Sequence, residues 1–358
     1  MINAVALRAE ADHAPLLASE LGFPLFQKRA STFLHVAGGG GEPKKRRLEA
    51  AADRERQIRS LVHGREDSAQ RRGGLPRKRL PETPIPDFTQ PAWDGSPIGG
   101  KRILLYPEQG LSDVLLFVRF ARELKRRGAT VLVLCQALLK ELLGTVDFID
   151  HVVAEGEPLP EFDLHASMVS LPHLCRADFE APALQAPYLK APADSRIKLG
   201  RIEKAKLSVG IYWAGMPGRP QDRQRSVPFY RFMEFSGDPE LLLFSLQGGV
   251  HQKDIQTFGA GGLVHDVGRG IFDFAEAATA LSQLDLLISI DAPIAHLAAA
   301  MGLKTWVLSP STVDWRWQLG GTRAPWYPSA RLFRQPRPGD WDTVFADVRR
   351  ELDQLKQR

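Results

Sequence analysis

Two carboxylates in this chain stand where acid–base or anion chemistry is easiest to build, at the turn between an apolar run and an amphipathic one. Asp113 ends Glu108-Gln-Gly-Leu-Ser-Asp113 and opens a helical pattern. A carboxylate there faces a cleft edge at the positive end of a helix dipole, within reach of an acceptor hydroxyl, as a general base must be. Asp291 follows the apolar run Leu286–Ile290, with Pro293 in the next first turn and Gly302 closing the helix before Thr305–Leu308. Pro is tolerated in a first turn and Gly ends helices. Strand, acidic turn, helix, strand is half of a nucleotide-binding domain, whose helix start favours an anion such as a diphosphate. The plainer alternative is that both Asp side chains only cap their helices and that His296 packs in the core.

Charge of the opposite sign comes from one loop. Val209-Gly-Ile-Tyr-Trp-Ala-Gly215 leads into a segment carrying Arg219, Arg223 and Arg225, whose guanidinium forks suit phosphate oxygens, while Gly215 lets backbone approach a ligand. Later, Asp314-Trp-Arg-Trp317 and Pro325-Trp-Tyr-Pro328 form an aromatic patch that reads first as core. Asp340-Trp-Asp342 has the spacing of an acidic metal triplet but lacks the neighbouring ligands that would complete a hard-cation shell, so no metal is expected.

The elements that position these residues alternate. Strands are expected at Arg102–Tyr106, Thr130–Cys135, His151–Ala154, Leu207–Trp213, Leu241–Leu246, Leu263–His265, Leu286–Ile290 and Thr305–Leu308. Helices are expected at Val114–Arg127, Ala137–Leu143, Phe229–Phe235, Phe272–Gln283, Pro293–Met301 and Asp342–Lys356. Such alternation predicts α/β architecture with parallel sheets, here two doubly wound, Rossmann-like domains across a cleft: residues 98–200, residues 206–340, and a closing helix over 341–358. The dinucleotide fingerprint G-x-G-x-x-G is absent.

Residues 1–97 read as a basic, Pro-rich extension and linker, with one amphipathic stretch at Ala14–Leu21 and order beginning near Ile98. Pro43–Leu80 holds thirteen Lys or Arg against five Asp or Glu, so the net +5 of the 358 residues is concentrated there. The segment lacks the interleaved aromatics that stack on bases, which argues against nucleic acid and for a solvated segment. Two cysteines exclude a disulfide framework. Without a signal peptide or an apolar run of membrane-spanning length, a cytoplasmic location is expected, compatible with peripheral contact at an inner membrane.

In order along the chain, Trp93-Asp-Gly-Ser-Pro97, Glu108–Asp113 with Phe117-Val-Arg119, Trp213-Ala-Gly215 with Asp222-Arg-Gln-Arg-Ser226, Ser245-Leu-Gln247, Ser289-Ile-Asp291 with His296-Leu-Ala298, Asp314–Trp317, Trp326-Tyr-Pro328 and Arg331–Trp341 together resemble the ADP-heptose:lipopolysaccharide heptosyltransferase superfamily. The resemblance is closest to bacterial glycosyltransferases preceded by tetratricopeptide repeats, of which residues 1–80 show no pattern. It implies a type-B glycosyltransferase fold and transfer from a nucleotide-diphosphate sugar, the donor substrate, without metal or other cofactor, to a glycan, lipid-linked or protein acceptor. By the same resemblance Asp113 is the catalytic base, Gln109, Gly110 and Ser112 lie on the acceptor side, and Trp213, Gly215, Arg223, Arg225, Gln247, Asp291, Ala292 and His296 hold the donor. The final helix would cross back to the first domain. Three departures stand out: Ser112 replaces a Gly, Asp291-Ala-Pro293 replaces Asp-Thr-Gly, and the repeats are missing. The second removes a hydroxyl and an N–H from the phosphate side. A binding protein that keeps the fold without turnover, and a nucleotide-sugar isomerase, are the alternative readings.

Overall fold

The computed structural model describes residues 88–108, 110–176, 185–193, 197–200, 205–215, 220–312, 314–317, 321–324 and 326–357. Ala14–Leu21 and the basic segment Pro43–Leu80 lie outside them.

The first unit is a four-stranded sheet of β1 (Arg102–Tyr106), β2 (Thr130–Cys135), β3 (His151–Ala154) and β4 (Leu164–Ser167), in the order β3-β2-β1-β4, every pair parallel. After β1 come α1 (Leu111–Phe117) and α2 (Arg119–Arg126), and α3 (Ala137–Gly144) follows β2. The single helix expected over Val114–Arg127 therefore starts a turn early and breaks at Val118. At the break the Arg119 Nε takes the Leu116 carbonyl at 2.8 Å, an acceptor of the helical ladder. Gly128 ends α2 with φ +85°, and the Gly128 and Ala129 amides bond back to Lys125 and Leu124. Only a residue free to take positive φ makes that cap cheaply.

Packing begins earlier than Ile98. Phe88 sits edge-on to Phe162 and Tyr106, Ala92 makes a parallel bridge with His165 on β4, and Trp93 is buried. The Pro-rich stretch is thus a strap along the β4 edge in its second half, because its apolar residues find the open face of the first sheet.

The second unit is a six-stranded parallel sheet in the order β10-β9-β8-β5-β6-β7, made of β5 (Leu207–Tyr212), β6 (Leu241–Ser245), β7 (Val264–Asp266), β8 (Leu286–Ile290), β9 (Thr305–Ser309) and β10 (Ala330–Arg334). Its helices of six or more residues are α4 (Pro220–Arg225), α5 (Phe274–Leu281), α6 (Pro293–Ala300) and α7 (Trp341–Lys356), and the helix expected over Phe229–Phe235 is the single turn Tyr230–Met233. Strand order reverses between β5 and β8, so a crevice opens at their carboxyl ends. Both units are the parallel α/β architecture expected from the alternation.

The units share one continuous apolar core, and α6 is the seam against α1 while α5 faces α3. Ala295, Ala298, Ala299 and Ala300 are fully buried there, and such small side chains let the helices approach closely. Gly302, φ +78°, repeats the cap of α2, with Gly302 and Leu303 amides on Ala299 and Ala298.

The contacts described for the last helix lie in the second unit. Trp341, Val344, Phe345, Val348 and Leu352 form one buried stripe of α7. Phe345 packs against Phe232 and Phe235 at ring distances of 5.3 and 5.6 Å, Glu351 pairs with Arg331, and Lys356 with Asp238, all in the second unit. Truncating Phe345→Ala should cost about 3–5 kcal/mol, the range for a fully buried aromatic, and a urea titration followed by tryptophan fluorescence would measure it.

Candidate active site

Asp113 lies in the first turn of α1 and Asp291 just before α6, yet neither caps its helix. The N-cap positions are Gly110 and Ala292, and neither makes a side-chain cap bond. Both carboxylates instead turn to one short segment of the second unit. Arg316 holds Asp113 in a fork, with Nε to Oδ1 at 3.0 Å and Nη2 to Oδ1 and Oδ2 at 2.7 and 2.8 Å. Its neighbour Trp317 donates Nε1–H to Asp291 Oδ1 at 2.8 Å. Consecutive residues thus bring the base expected in one unit and the phosphate-side carboxylate of the other to a shared crevice.

The electrostatics follow from burial. Arg316 also donates from Nη1 to Asp314 Oδ2 at 2.8 Å, and its side chain is 14% exposed against 5% for that of Asp113. Burial works against the guanidinium charge, but Asp113 and Asp314 outweigh it and push the Arg316 pKa up. Burial pushes the Asp314 carboxyl up, against the pull of Arg316. At Asp291 burial would do the same, but the His296 imidazole, the Arg225 guanidinium and the Trp317 N–H hold its carboxyl well below the usual range. His296 is fully buried, with Nδ1 3.0 Å from the Tyr327 hydroxyl and Nε2 3.7 Å from Asp291 Oδ1, a distance that makes the second contact electrostatic.

Arg225 is the expected loop arginine that reaches the site. Its Nη1 donates to the Asp291 carbonyl at 3.0 Å and its Nε to Asp222 Oδ1 at 2.7 Å. Gly215 serves this pair: a Cβ there would overlap Asp222 and crowd the Arg225 guanidinium, so the close approach is to the chain's own ion pair. Trp213 and Gln247 brace the frame. The Trp213 indole is buried against Phe229 and donates to Asp254 at 2.9 Å. Gln247 accepts from the Trp213 and Ala214 amides at 3.1 and 2.9 Å and donates to the Ala214 and Gly248 carbonyls, which uses its whole amide. On the other wall Gly110 and Ser112 are half-buried at the start of α1. Gln109 and Arg219, and the side chain of Arg223, lie outside the described residues.

The α6 start is poorer in donors than its position suggests. Pro293 has no N–H, Ala292 carries no hydroxyl, and the Ala295 amide bonds to the Ala292 carbonyl at 3.0 Å. Asp340 is occupied as the cap of α7, accepting from Thr343 at 3.1 Å, and Asp342 pairs with Arg231, so the acidic triplet is structural. Among the described residues no group of three or more His, Cys, Asp or Glu is placed to hold a metal, and no helix is long and apolar enough to cross a membrane.

Sequence reading passed over Arg316, Tyr327, Tyr188 and the role of Arg119. Arg119 is buried at the seam, donating to the Trp326 carbonyl at 2.9 Å and the Tyr188 hydroxyl at 2.8 Å while lying over the Tyr188 and Tyr327 rings. The usable signal was an Arg between two Trp beside an Asp, since a charge inside an aromatic cluster needs a partner.

No known family profile matches the chain. Over 283 residues it is 24% identical to the protein FlbA of Caulobacter vibrioides, a stretch covering 72% of this chain and 47% of that protein. The chain therefore spans about half the length of the curated relative it matches. Among solved structures, a glycosyl transferase of family 9 from Veillonella parvula shares 13% identity, with 73% of this chain and 98% of that one covered at a TM-score of 0.49. The E. coli heptosyltransferase WaaC, solved with ADP-2-deoxy-2-fluoro heptose, shares 12% identity over 70% of this chain and 99% of its own, at a TM-score of 0.47.

The depressed Asp291 carboxyl gives an acid-stability prediction. The group binds fewer protons folded than unfolded, so its contribution is complete above the ordinary value of 3.8 and fades as the pH falls through the lower folded value. Asp291→Asn should therefore flatten the fall of stability below about pH 5 relative to wild type, read by urea unfolding at a series of pH values.

Proposed function

We propose that the protein is a glycosyltransferase that moves a sugar from a nucleotide-diphosphate sugar to an acceptor hydroxyl. The observation that supports this reading best is the convergence of Asp113 and Asp291 on Arg316 and Trp317, at the carboxyl ends of β1 and β8. In the reaction the acceptor oxygen forms a bond to the anomeric carbon and the bond from that carbon to the diphosphate breaks. Asp113 takes the hydroxyl proton, and the nucleoside diphosphate leaves with the bonding pair. Arg225, with Arg316, supplies the positive charge that the leaving diphosphate requires, and preorganised charge at the departing oxygen is the usual source of rate in such transfers. The reaction so drawn asks for no metal. The acceptor class is a glycan, a lipid-linked glycan or a protein, and peripheral membrane contact suits the second of these.

A second reading is favoured by one observation: both oxygens of Asp113 are engaged by Arg316. A protein that binds a nucleotide sugar without turning it over would tolerate a base so occupied, and would tolerate Ala292 and Pro293.

Turnover separates the two. With a panel of nucleotide sugars, donor hydrolysis or transfer should be detectable in wild type and should fall about 10²–10⁴-fold in Asp113→Asn, the usual contribution of a general base, while nucleoside diphosphate binding persists. Adding EDTA should leave the rate unchanged. Binding without turnover in wild type would establish the second reading, and absence of any nucleotide-dependent rise in melting temperature would dispose of both.

A further inference from the structure

Every nitrogen of the Arg316 guanidinium faces a carboxylate, and these come from both units. Nε and Nη2 hold Asp113 of α1, and Nη1 holds Asp314 of its own segment at 2.8 Å. The base is therefore committed, because both of its oxygens are engaged by the arginine. The cation is committed as well.

A diphosphate entering this crevice finds few other donors. Pro293 offers no amide hydrogen and the Ala295 amide is used by Ala292, while Arg225 is already shared between Asp222 and the Asp291 carbonyl. Arg316, whose side chain is 14% exposed, is the guanidinium that holds the base. A phosphate oxygen and a carboxylate oxygen ask the same geometry of it.

We propose that Asp113 and the donor's diphosphate compete for the Arg316 guanidinium, so that donor binding draws Arg316 away and thereby frees Asp113 to act as base. The proposal rests on the glycosyltransferase reading and adds an order to it: donor first, acceptor deprotonation second. A chain that arms its base only when the donor is seated does not expend it on water or on an acceptor alone. Arg316 is in this scheme a positioning residue toward Asp113 and a binding residue toward the diphosphate. The coupling is reciprocal: the factor by which the Arg316–Asp113 pair weakens the hold on the diphosphate is the factor by which bound diphosphate weakens that pair.

That reciprocity gives a test that does not depend on turnover. Isothermal titration of ADP, UDP and GDP into the full chain is to be compared for wild type, Asp113→Asn, Arg316→Gln and the double variant. The expected result is a gain of about tenfold or more in affinity for Asp113→Asn, a loss for Arg316→Gln, and no gain from Asp113→Asn once Arg316 is gone. An equal gain in both backgrounds would mean simple relief of charge repulsion and would overturn the latch. No gain, or a loss, in Asp113→Asn would overturn it too, while leaving the glycosyltransferase reading in place. If wild type and every variant bind none of the three nucleotides, that reading fails and the latch falls with it. Should Arg316→Gln not fold, Arg316→Lys takes its place in the cycle, because one ammonium cannot reproduce the fork to both Asp113 oxygens.

Discussion

A guanidinium sealed into the seam between the two sheets is what the site depends on. Arg119 is buried, and a buried charge is tolerated only when its hydrogen bonds are met. Its bonds run to Leu116 in its own unit, to the Trp326 carbonyl in the other, and to Tyr188 in the segment that leads from one to the other. Tyr188 in turn gives its hydroxyl hydrogen to Leu115 and its backbone amide to Ala300 at the end of α6. The ends of β1 and β8 are thereby fixed at one separation. The geometry of the candidate site is downstream of that: Asp113 meets Arg316 because α1 and α6 are held face to face, and Arg316 is the neighbour of Trp317, which holds Asp291 within the second unit.

The seam is polar at the site and apolar elsewhere, and the change of character is gradual. From Arg119 the aromatic rings of Tyr188 and Tyr327 lead to His296, which lies against Trp317 at a ring distance of 4.6 Å and beside Asp291. Each aromatic supplies apolar area on its faces and a polar atom at its tip, so the cluster packs like core while it carries hydrogen bonds toward the crevice. This explains why a patch with the composition of a core lies beside the charged residues of the site.

Much of the frame was legible in the sequence because the parallel strands are buried on both faces and read as apolar runs: Arg102–Tyr106, Thr130–Cys135, His151–Ala154 and Leu286–Ile290 fall where the pattern put them. The two strands that escaped notice are polar for a reason. Leu164–Ser167 is short and carries His165, and Ala330–Arg334 sets Arg331 and Arg334 at the sheet's margin. Of the site, the two Asp positions were visible from strand–turn–helix spacing, and Arg225 from its loop. Arg316 was not, since its partner Asp113 lies some two hundred residues away in sequence, and the local pattern of an Arg among tryptophans says that a partner is needed without saying which. Trp213 and Gln247 were expected to hold the donor, and only coordinates reveal that the Gln247 amide is already consumed by its neighbours.

Those two polar strands have a consequence for how the protein meets copies of itself. A parallel sheet exposes unpaired backbone groups on its outermost strands, which invite another chain to add a strand. Here the outer strand β10 is studded with arginines and flanked by α7, β7 at the far side is only three residues long, and β4 is covered by the chain around Ala92. Three of the four outermost strands thus carry a barrier to β-mediated self-association.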